Sequence, residues 1–215
     1  DIFNEPYRLN WFKSNGNQVP WTQVIATAAN VVSAYNPQLL LFVEGPNEGN
    51  TDVDNPVICI DTANIVDDPN GYAHSSDPEQ CGNLHRMFFK GNWGEDFKPL
   101  LNQALAKQGK AVFDFTKLQQ ELRSQGITDN ALNWLLGKET QTKSHIVFSP
   151  HVYPAEVASW ETAPGKPSNL RFNWTWGFLH KAGYPIVLGE ASWKTSQGKS
   201  FFTDAVMPYL NKSNI

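Results

Sequence analysis

The chain opens with Asp1-Ile2-Phe3-Asn4-Glu5-Pro6-Tyr7, in which two apolar residues lead directly into an Asn-Glu pair and a proline. Proline lacks a backbone N–H and cannot continue a hydrogen-bonded ladder, so Pro6 predicts the end of a buried strand. Asn4 and Glu5 are then expected at the carboxyl end of that strand, facing the space beyond the sheet. The pattern recurs at Ile186-Val187-Leu188-Gly189-Glu190, where a second apolar run ends on a glutamate.

Two glutamates at two strand ends are the pair that a retaining glycosidase uses, one as acid/base and one as nucleophile. The plainer interpretation of Glu5 and Glu190 is two surface carboxylates that follow turns. An acid directly after an apolar run such as Val187-Leu188-Gly189 is costly unless it is paired or functional. The pattern therefore favours a catalytic role for both residues.

The composition is that of a globular protein with a sizeable core: 215 residues, 40% hydrophobic and 18% charged. The net charge of −4 gives no basic surface for nucleic acid, which would require clustered Lys and Arg. No apolar run approaches the roughly 20 residues that cross a bilayer. We therefore expect neither a nucleic-acid nor a membrane partner.

Buried strands alternate with amphipathic helices along the chain, which predicts a parallel α/β architecture. Unbroken apolar runs are typical of strands that are covered on both faces. The strands are predicted at 1–4, 39–43, 146–149 and 186–189, and the helices at about 20–35, 95–108, 114–124, 128–136, 171–182 and 201–209. The first helix is expected to bury a stripe formed by Val24, Ile25, Ala28, Val31, Val32 and Tyr35.

Polar residues whose side chains could take part in catalysis follow each predicted strand: Glu5, Glu44, His151 with Tyr153, and Glu190. This concentration at strand ends is typical of a (β/α)8 barrel, whose chemistry lies on that rim. A doubly wound open sheet would also place sites there, but it usually carries a Gly-rich phosphate loop, which this sequence lacks. The barrel is the favoured prediction.

Cys59 and Cys81 lie in one long polar segment. A disulfide between them would suit a secreted protein. Two free thiols remain possible, and so does a metal site with His85 and His74, although the spacing fits no common zinc pattern. The acidic residues between 52 and 70 match no known calcium loop, so a solvated acidic loop is favoured there and no metal is predicted.

Four motifs together resemble glycoside hydrolase family 5, the cellulase family among the retaining barrel hydrolases. They occur in the family's order: Phe3-Asn4-Glu5-Pro6, Phe42-Val43-Glu44-Gly45, Ser149-Pro150-His151-Val152-Tyr153 and Leu188-Gly189-Glu190. The segment from Asn173 to Phe178 also resembles bacterial endoglucanases of that family. Asn-Glu-Pro alone is a weak match, whereas four motifs in order, each at a strand end, are a specific one.

The resemblance implies a role for each matching residue. Glu5 matches the acid/base and Glu190 the nucleophile, while Asn4 matches the residue that contacts the sugar 2-hydroxyl. His151 and Tyr153 match the pair beside the two carboxylates, with Tyr153 bonded to the nucleophile. Trp93 resembles an aromatic residue that stacks on sugar rings, and Glu44 is expected to be a supporting residue. No cofactor is implied.

The resemblance also implies that the chain is part of a barrel, truncated at both ends. It would cover the fourth to seventh βα units, so residues 1–215 form a partial catalytic domain with inserted segments at about 50–90 and 100–142. An Arg, a His and a Trp of the family's site have no counterpart here. We expect the isolated chain to be inactive.

The predicted activity is retaining hydrolysis of β-1,4-linked glucan by a secreted enzyme, with a polysaccharide or oligosaccharide as its substrate. A β-mannanase or another β-glycanase is the alternative among enzymes. An inactive or sugar-binding barrel fragment is the alternative outside enzymes. The two carboxylates favour the enzyme, because a binding module needs neither.

Overall fold

The protein is described by a computed structural model over residues 1–6, 9–14, 16–46, 56–60, 81–87, 94–137, 144–154 and 169–215. Its strands are β1 (Leu41–Val43), β2 (Ile58–Ile60), β3 (His85–Met87), β4 (Ile146–Phe148), β5 (His151–Val152) and β6 (Glu190–Ala191). Its helices are Trp21–Tyr35, Gln103–Ala106, Phe115–Ser124, Asp129–Leu136, Asn169–Phe172, Phe178–Lys181, Ser196–Phe201 and Met207–Ser213. A 3₁₀ turn spans Lys98–Leu100, and π turns span Asn173–Gly177 and Phe202–Val206.

The segment that contains β4 and β5 lies at the centre of the parallel pairing. On one side β4 pairs in parallel with β1, with Leu41 opposite Ile146 and Val43 opposite Phe148. On the other side Phe148 forms a parallel bridge with Ile186, and β5 pairs in parallel with β6. Carboxyl ends of parallel strands share one edge, so the residues that follow β1, β4 and the Ile186 bridge converge there.

The segments predicted as the first and last strands, 1–4 and 186–189, differ from the prediction. Residues 1–4 form no strand: Ile2 donates one backbone hydrogen bond to Phe42 at 3.4 Å, and Phe3 is half exposed. The strand predicted over 186–189 is confirmed in place but is not regular: Ile186 bridges Phe148, Val187 and Gly189 donate to the carbonyls of Phe148 and Pro150, and the two-residue strand β6 follows. Each of these two segments pairs on one side only among the described residues, and the single backbone hydrogen bond from Ile2 is too little to make residues 1–4 a regular strand.

The first helix was predicted correctly in place but not in orientation. It spans Trp21–Tyr35, yet its inner face is formed by Trp21, Ile25, Ala26 and Ala29. Two residues of the predicted stripe face solvent: Val31 is 53% and Tyr35 87% exposed. Alanine lets a neighbouring helix approach closely, so Ala26 and Ala29 join Trp21 and Ile25 in the packed face. Asn30 fixes that neighbour by bonding the carbonyl of Gly126 and the N–H of Thr128.

The prediction of one helix over 95–108 was wrong: that stretch contains the 3₁₀ turn Lys98–Leu100 and the short helix Gln103–Ala106, because Leu101 pairs with Phe113 in an antiparallel bridge that interrupts it. The other predicted helices are present. Thr128 caps the Asp129–Leu136 helix by accepting the Ala131 N–H at 3.2 Å, as predicted. The predicted helix over 171–182 is present as three consecutive helical segments and buries Phe172, Trp176 and Leu179. Gly183, with φ of +88°, follows its end. A cluster of buried aromatic and aliphatic residues joins these helices to β1 and β4.

Across the described ranges the architecture is mixed α/β, with three two-stranded sheets and no closed barrel. The third sheet is the antiparallel pair of β2 and β3. The closure of an eight-stranded barrel stays a prediction. The interpretation of 50–90 and 100–142 as inserted segments also stays a prediction. No helix within the described ranges is long and apolar enough to cross a membrane.

Of the three alternatives for Cys59 and Cys81, the structure shows the disulfide. Cys59 and Cys81 are bonded, with their Cα atoms 5.5 Å apart, inside the expected range for a disulfide. The bond excludes the alternatives of two free thiols and of a cysteine metal site. Cys59 lies in β2, so the bond ties that strand to the segment that leads into β3.

Candidate active site

His151 lies at the centre of the predicted site, because β5 places its ring among three glutamates. Its Nδ1 is 3.2 Å from Glu5 Oε1 and 3.7 Å from Glu190 Oε2. Its Nε2 is 3.2 Å from Glu44 Oε1. Residues separated by up to 185 positions thus meet around one imidazole ring.

Two glycines allow this ring to sit where it does. A Cβ on Gly94 would lie 2.5 Å from His151 Cγ, and Gly94 has φ of +80°. A Cβ on Gly189 would collide with the Ser149 hydroxyl and approach the imidazole to 3.3 Å. The Gly94 carbonyl also accepts the backbone N–H of His151 at 3.3 Å. The close approach of backbone to ring at both positions requires glycine.

Glu5 is held by more contacts than a surface carboxylate would have. Its Oε1 accepts the Tyr153 hydroxyl at 3.0 Å as well as facing His151. Its backbone N–H donates to Glu44 Oε2 at 2.7 Å. Glu5 has φ of +47°, a left-handed conformation that a side chain with a Cβ rarely adopts. Such strain persists where the surroundings fix it, and it is concentrated at functional sites.

The two predicted catalytic carboxylates lie close together. Glu5, His151 and Glu190 each place a side-chain atom within 4.8 Å of the other two. Glu5 is partly buried and Glu190 is about half exposed. The same three groups could in principle hold a cation, but the facing atoms of Glu5 and His151 already hydrogen-bond each other. We therefore interpret the cluster as a proton-handling site rather than a metal centre.

The carboxylates shift the pKa values of their neighbours. Burial alone lowers the pKa of His151, but the hydrogen bond and charge of Glu44, the hydrogen bond to Glu5 and the charge of Glu190 raise it above its usual value of 6.5. Burial, hydrogen bonds to Glu190 and Glu5, and their charges strongly raise the pKa of Tyr153. Tyr153 is therefore a hydroxyl donor at any physiological pH, within reach of both carboxylates.

Of the six residues predicted from the sequence, four converge: Glu5, Glu190, His151 and Tyr153. Asn4 is exposed on the same edge, next to Glu5. Trp93 lies outside the described residues, as do the acidic residues between 52 and 70.

Sequence reasoning underestimated one residue, Glu44. Its side chain is 1% exposed and bridges His151 to the backbone of Glu5. The available signal was its place after the apolar run of β1, which is the same position that Glu190 has after its own run. The contacts themselves come from pairing between distant segments, which the sequence does not display.

A second group of buried charges adjoins the site. Glu95 accepts from the Arg171 guanidinium and from the Thr175 hydroxyl at 3.4 Å. Lys98 pairs with Asp96 at 3.0 Å. These residues directly follow Gly94, so the ion pairs fix the segment whose carbonyl supports β5. Sequence reasoning missed them, because an ion pair between a loop and a distant helix leaves no local pattern.

Comparison with known proteins assigns the chain to a family. No curated protein sequence matches, and no solved structure does. The model for cellulase, glycosyl hydrolase family 5, matches residues 1–215. The match spans all four motifs that meet at the site. The chain belongs to glycosyl hydrolase family 5, a family of glycoside hydrolases that act on polysaccharides.

Proposed function

We propose that this protein is a retaining glycoside hydrolase that cleaves β-1,4-linked glucan. The observation that carries the mechanism is the placement of carboxylate oxygens of Glu5 and Glu190 within 4.8 Å of each other. Retaining enzymes hold their carboxyl groups about 5–5.5 Å apart, whereas inverting enzymes need roughly 6.5–9.5 Å to admit a water molecule. The observed spacing favours direct attack by one carboxylate.

The environments of the two glutamates support their division of labour. Glu190 is about half exposed and open to a substrate, as a nucleophile must be. Glu5 is more enclosed and lies against His151 and Tyr153, which can share its proton. Glu5 would protonate the leaving oxygen while Glu190 attacks the anomeric carbon. Glu5 would then deprotonate the water that releases the sugar from Glu190.

Substrate contacts are proposed for two further residues. Asn4 is exposed beside Glu5 and would bond the sugar 2-hydroxyl. Trp93 would stack on a sugar ring, since it directly precedes Gly94, which touches His151. Aromatic faces suit sugar rings because they cover the apolar C–H side of the ring while its hydroxyls bond elsewhere.

The polymer could instead be a β-mannan or another β-glycan, because the catalytic carboxylates are common to all of them. A non-catalytic sugar-binding role is the alternative outside enzymes. The strained Glu5 backbone and the close approach of its carboxylate to Glu190 favour catalysis, because binding alone requires neither feature.

The anomeric configuration of the first product tests the mechanism. The complete enzyme would be incubated in turn with soluble β-1,4-glucan and β-1,4-mannan in an NMR tube. We expect the β-anomer to appear first from the glucan and to mutarotate later. An initial α-anomer would contradict the retaining mechanism. Release from mannan alone would replace the glucan assignment, and hydrolysis of neither polymer would favour the sugar-binding alternative.

We further propose that this chain is active only together with further barrel strands, and that the enzyme is secreted. The paired strands of the described ranges leave the outer edges of β1 and β6 without a regular partner. The Cys59–Cys81 disulfide supports an oxidising compartment. The 215 residues expressed alone should aggregate or show no β-glucan hydrolysis. Cooperative unfolding with undiminished turnover would contradict this.

A further inference from the structure

Glu44 is a buried carboxylate that the proposed chemistry does not use. Its side chain is 1% exposed, so the position does not suit direct substrate contact. Both of its oxygens are engaged: Oε2 accepts the Glu5 backbone N–H at 2.7 Å, and Oε1 lies 3.2 Å from His151 Nε2. One side chain therefore contacts the acid/base residue and the histidine beside it.

Hydrogen-bond chemistry decides where the His151 proton lies. An ionised carboxylate offers acceptors only, and a backbone N–H can only donate. Against the Oε1 of an ionised Glu44, Nε2 of His151 must be the protonated nitrogen. The other nitrogen, Nδ1, then faces Glu5 Oε1 at 3.2 Å and Glu190 Oε2 at 3.7 Å.

We propose that Glu44 is a positioning residue that fixes the Nε2–H tautomer of His151, so that Nδ1 shares the proton of the acid/base Glu5. This role rests on the proposed function of Glu5. When Glu5 is protonated, its proton can be held between Oε1 and Nδ1 until the leaving oxygen takes it. The same carboxylate holds Glu5 in its left-handed backbone conformation.

The described groups around His151 divide between its two ring nitrogens. The charged or titratable groups that face it are Glu44 on Nε2, Glu5 and Glu190 on Nδ1, and Tyr153, whose ring lies edge-on to the imidazole. Tyr153 donates its hydroxyl to Glu5 and not to the ring. Glu44 is thus the group that acts on Nε2.

Glu44 is itself held by main-chain contacts that a side-chain substitution would spare. Its carbonyl accepts the Trp21 indole N–H at 2.9 Å. The next residue, Gly45, donates its N–H to Gly94 at 3.1 Å. A conservative variant at position 44 should therefore keep its place and change only the hydrogen-bonding pattern.

The decisive variant is Glu44→Gln, which has the same shape but one acceptor and one donor. Its carbonyl oxygen must accept the Glu5 N–H, so its NH₂ group must face His151 Nε2. Nε2 then has to accept, and the proton moves to Nδ1. We expect the ¹⁵N spectrum of histidine-labelled protein, recorded above the folded-state pKa of His151 so that the ring is neutral, to change from an Nε2–H to an Nδ1–H pattern for His151. The signals of His151 are identified by their absence from the spectrum of His151→Gln.

Kinetics on the complete enzyme give the second measurement. With Nδ1 already protonated, His151 can no longer accept the Glu5 proton, so kcat should fall about 10²-fold. KM should stay unchanged, because Glu44 is buried away from the substrate. Glu44→Asp keeps two acceptor oxygens and should retain the Nε2–H pattern and recover part of the lost kcat. Glu121→Gln, on the Phe115–Ser124 helix, is the matched control.

An Nε2–H pattern in Glu44→Gln, or an unchanged kcat alongside an Nδ1–H pattern, would overturn the proposal. Thermal unfolding separates both outcomes from simple loss of the fold. If the wild-type enzyme hydrolyses no β-glycan, the proposed function fails, whereas the tautomer comparison still decides what Glu44 does to His151.

Discussion

Two buried glutamates in this molecule are neutralised in different ways. Glu44 and Glu95 are 1% and 0% exposed, and each bonds a nitrogen of a distant residue. The partner of Glu95 is the guanidinium of Arg171, which stays charged at every accessible pH. The partner of Glu44 is His151, whose charge changes near neutrality. A permanent cation makes a structural contact, whereas a titratable one can move protons.

The difference extends to the neighbours of each glutamate. Glu95 is followed by Asp96, which pairs with the buried ammonium group of Lys98, so this region holds two fixed ion pairs. Around Glu44 three carboxylates share one imidazole ring. The ion-pair region has its charges balanced, while the site keeps excess negative charge that a proton or a substrate can neutralise. Stability should depend on the first region and activity on the second.

The largest expected effect is on activity, from Glu190→Ala. Removing the nucleophile should lower kcat/KM at least about 10⁴-fold. Stability should change little, because Glu190 is about half exposed and no buried group depends on it alone. Hydrolysis of soluble β-glucan by the complete enzyme and thermal unfolding give the two values, with Glu121→Ala as the control. A variant that keeps a tenth of the activity would remove Glu190 from the chemistry.

The second prediction concerns the ion-pair region. Glu95→Gln leaves the buried Arg171 guanidinium without its carboxylate, which should cost about 3–5 kcal/mol of unfolding free energy. Turnover per folded molecule should stay close to wild type. Asp129→Asn is the matched control, since it breaks an exposed pair with Arg123 at 3.5 Å and should cost little. Urea unfolding and active-site titration measure both quantities.

If Glu95→Gln instead lowered turnover of the folded fraction and left stability unchanged, the two glutamates would not differ as described. The ion pair would then act on Gly94 and His151 rather than on the fold.

The third prediction concerns the Cys59–Cys81 disulfide, a covalent contact that does not titrate near neutral pH and so serves as the reference for the charged contacts. Replacing Cys59 and Cys81 together by Ser should lower the free energy of unfolding by about 3 kcal/mol, as expected for a loop of this length. The pH dependence of stability between pH 5.5 and 8.5 should not change. Urea unfolding across that range checks both statements. A changed slope would mean that the disulfide loop affects the titrating site.

Local patterns were sufficient to predict much of the fold. The continuous apolar run before Glu44 predicted β1, and the caps and apolar spacing predicted the Trp21–Tyr35 and Asp129–Leu136 helices. The pattern could not show which face of the first helix is buried, because Val31 and Tyr35 are as apolar as the residues inside. It also could not show that the outer strands are short, since strand length depends on partners.

The residues of the candidate site likewise divide into those that the sequence could predict and those that it could not. Glu5 and Glu190 were identifiable because each is an acid that ends an apolar run. The role of Glu44 was not identifiable, although its local pattern is the same, because it depends on a hydrogen bond across 39 residues and on an imidazole a further hundred residues along. Sequence patterns indicate which residues reach the edge of the sheet. Pairing between segments decides which of them meet.

The smallest expected effect is a pH dependence of stability that originates at His151. The carboxylates raise its pKa in the folded protein above 6.5. The folded state then binds the His151 proton more tightly than the unfolded state does. This stabilisation is fully present below pH 6.5 and is lost as the pH rises through the folded pKa. The free energy of unfolding should therefore decline across that interval, and His151→Gln should remove this part of the decline. Urea unfolding from pH 5.5 to 8.5 measures the slope, with His180→Gln as the control. Equal slopes in wild type and His151→Gln would show that the imidazole exchanges no proton on folding, and the contrast between Glu44 and Glu95 would then lie in geometry alone.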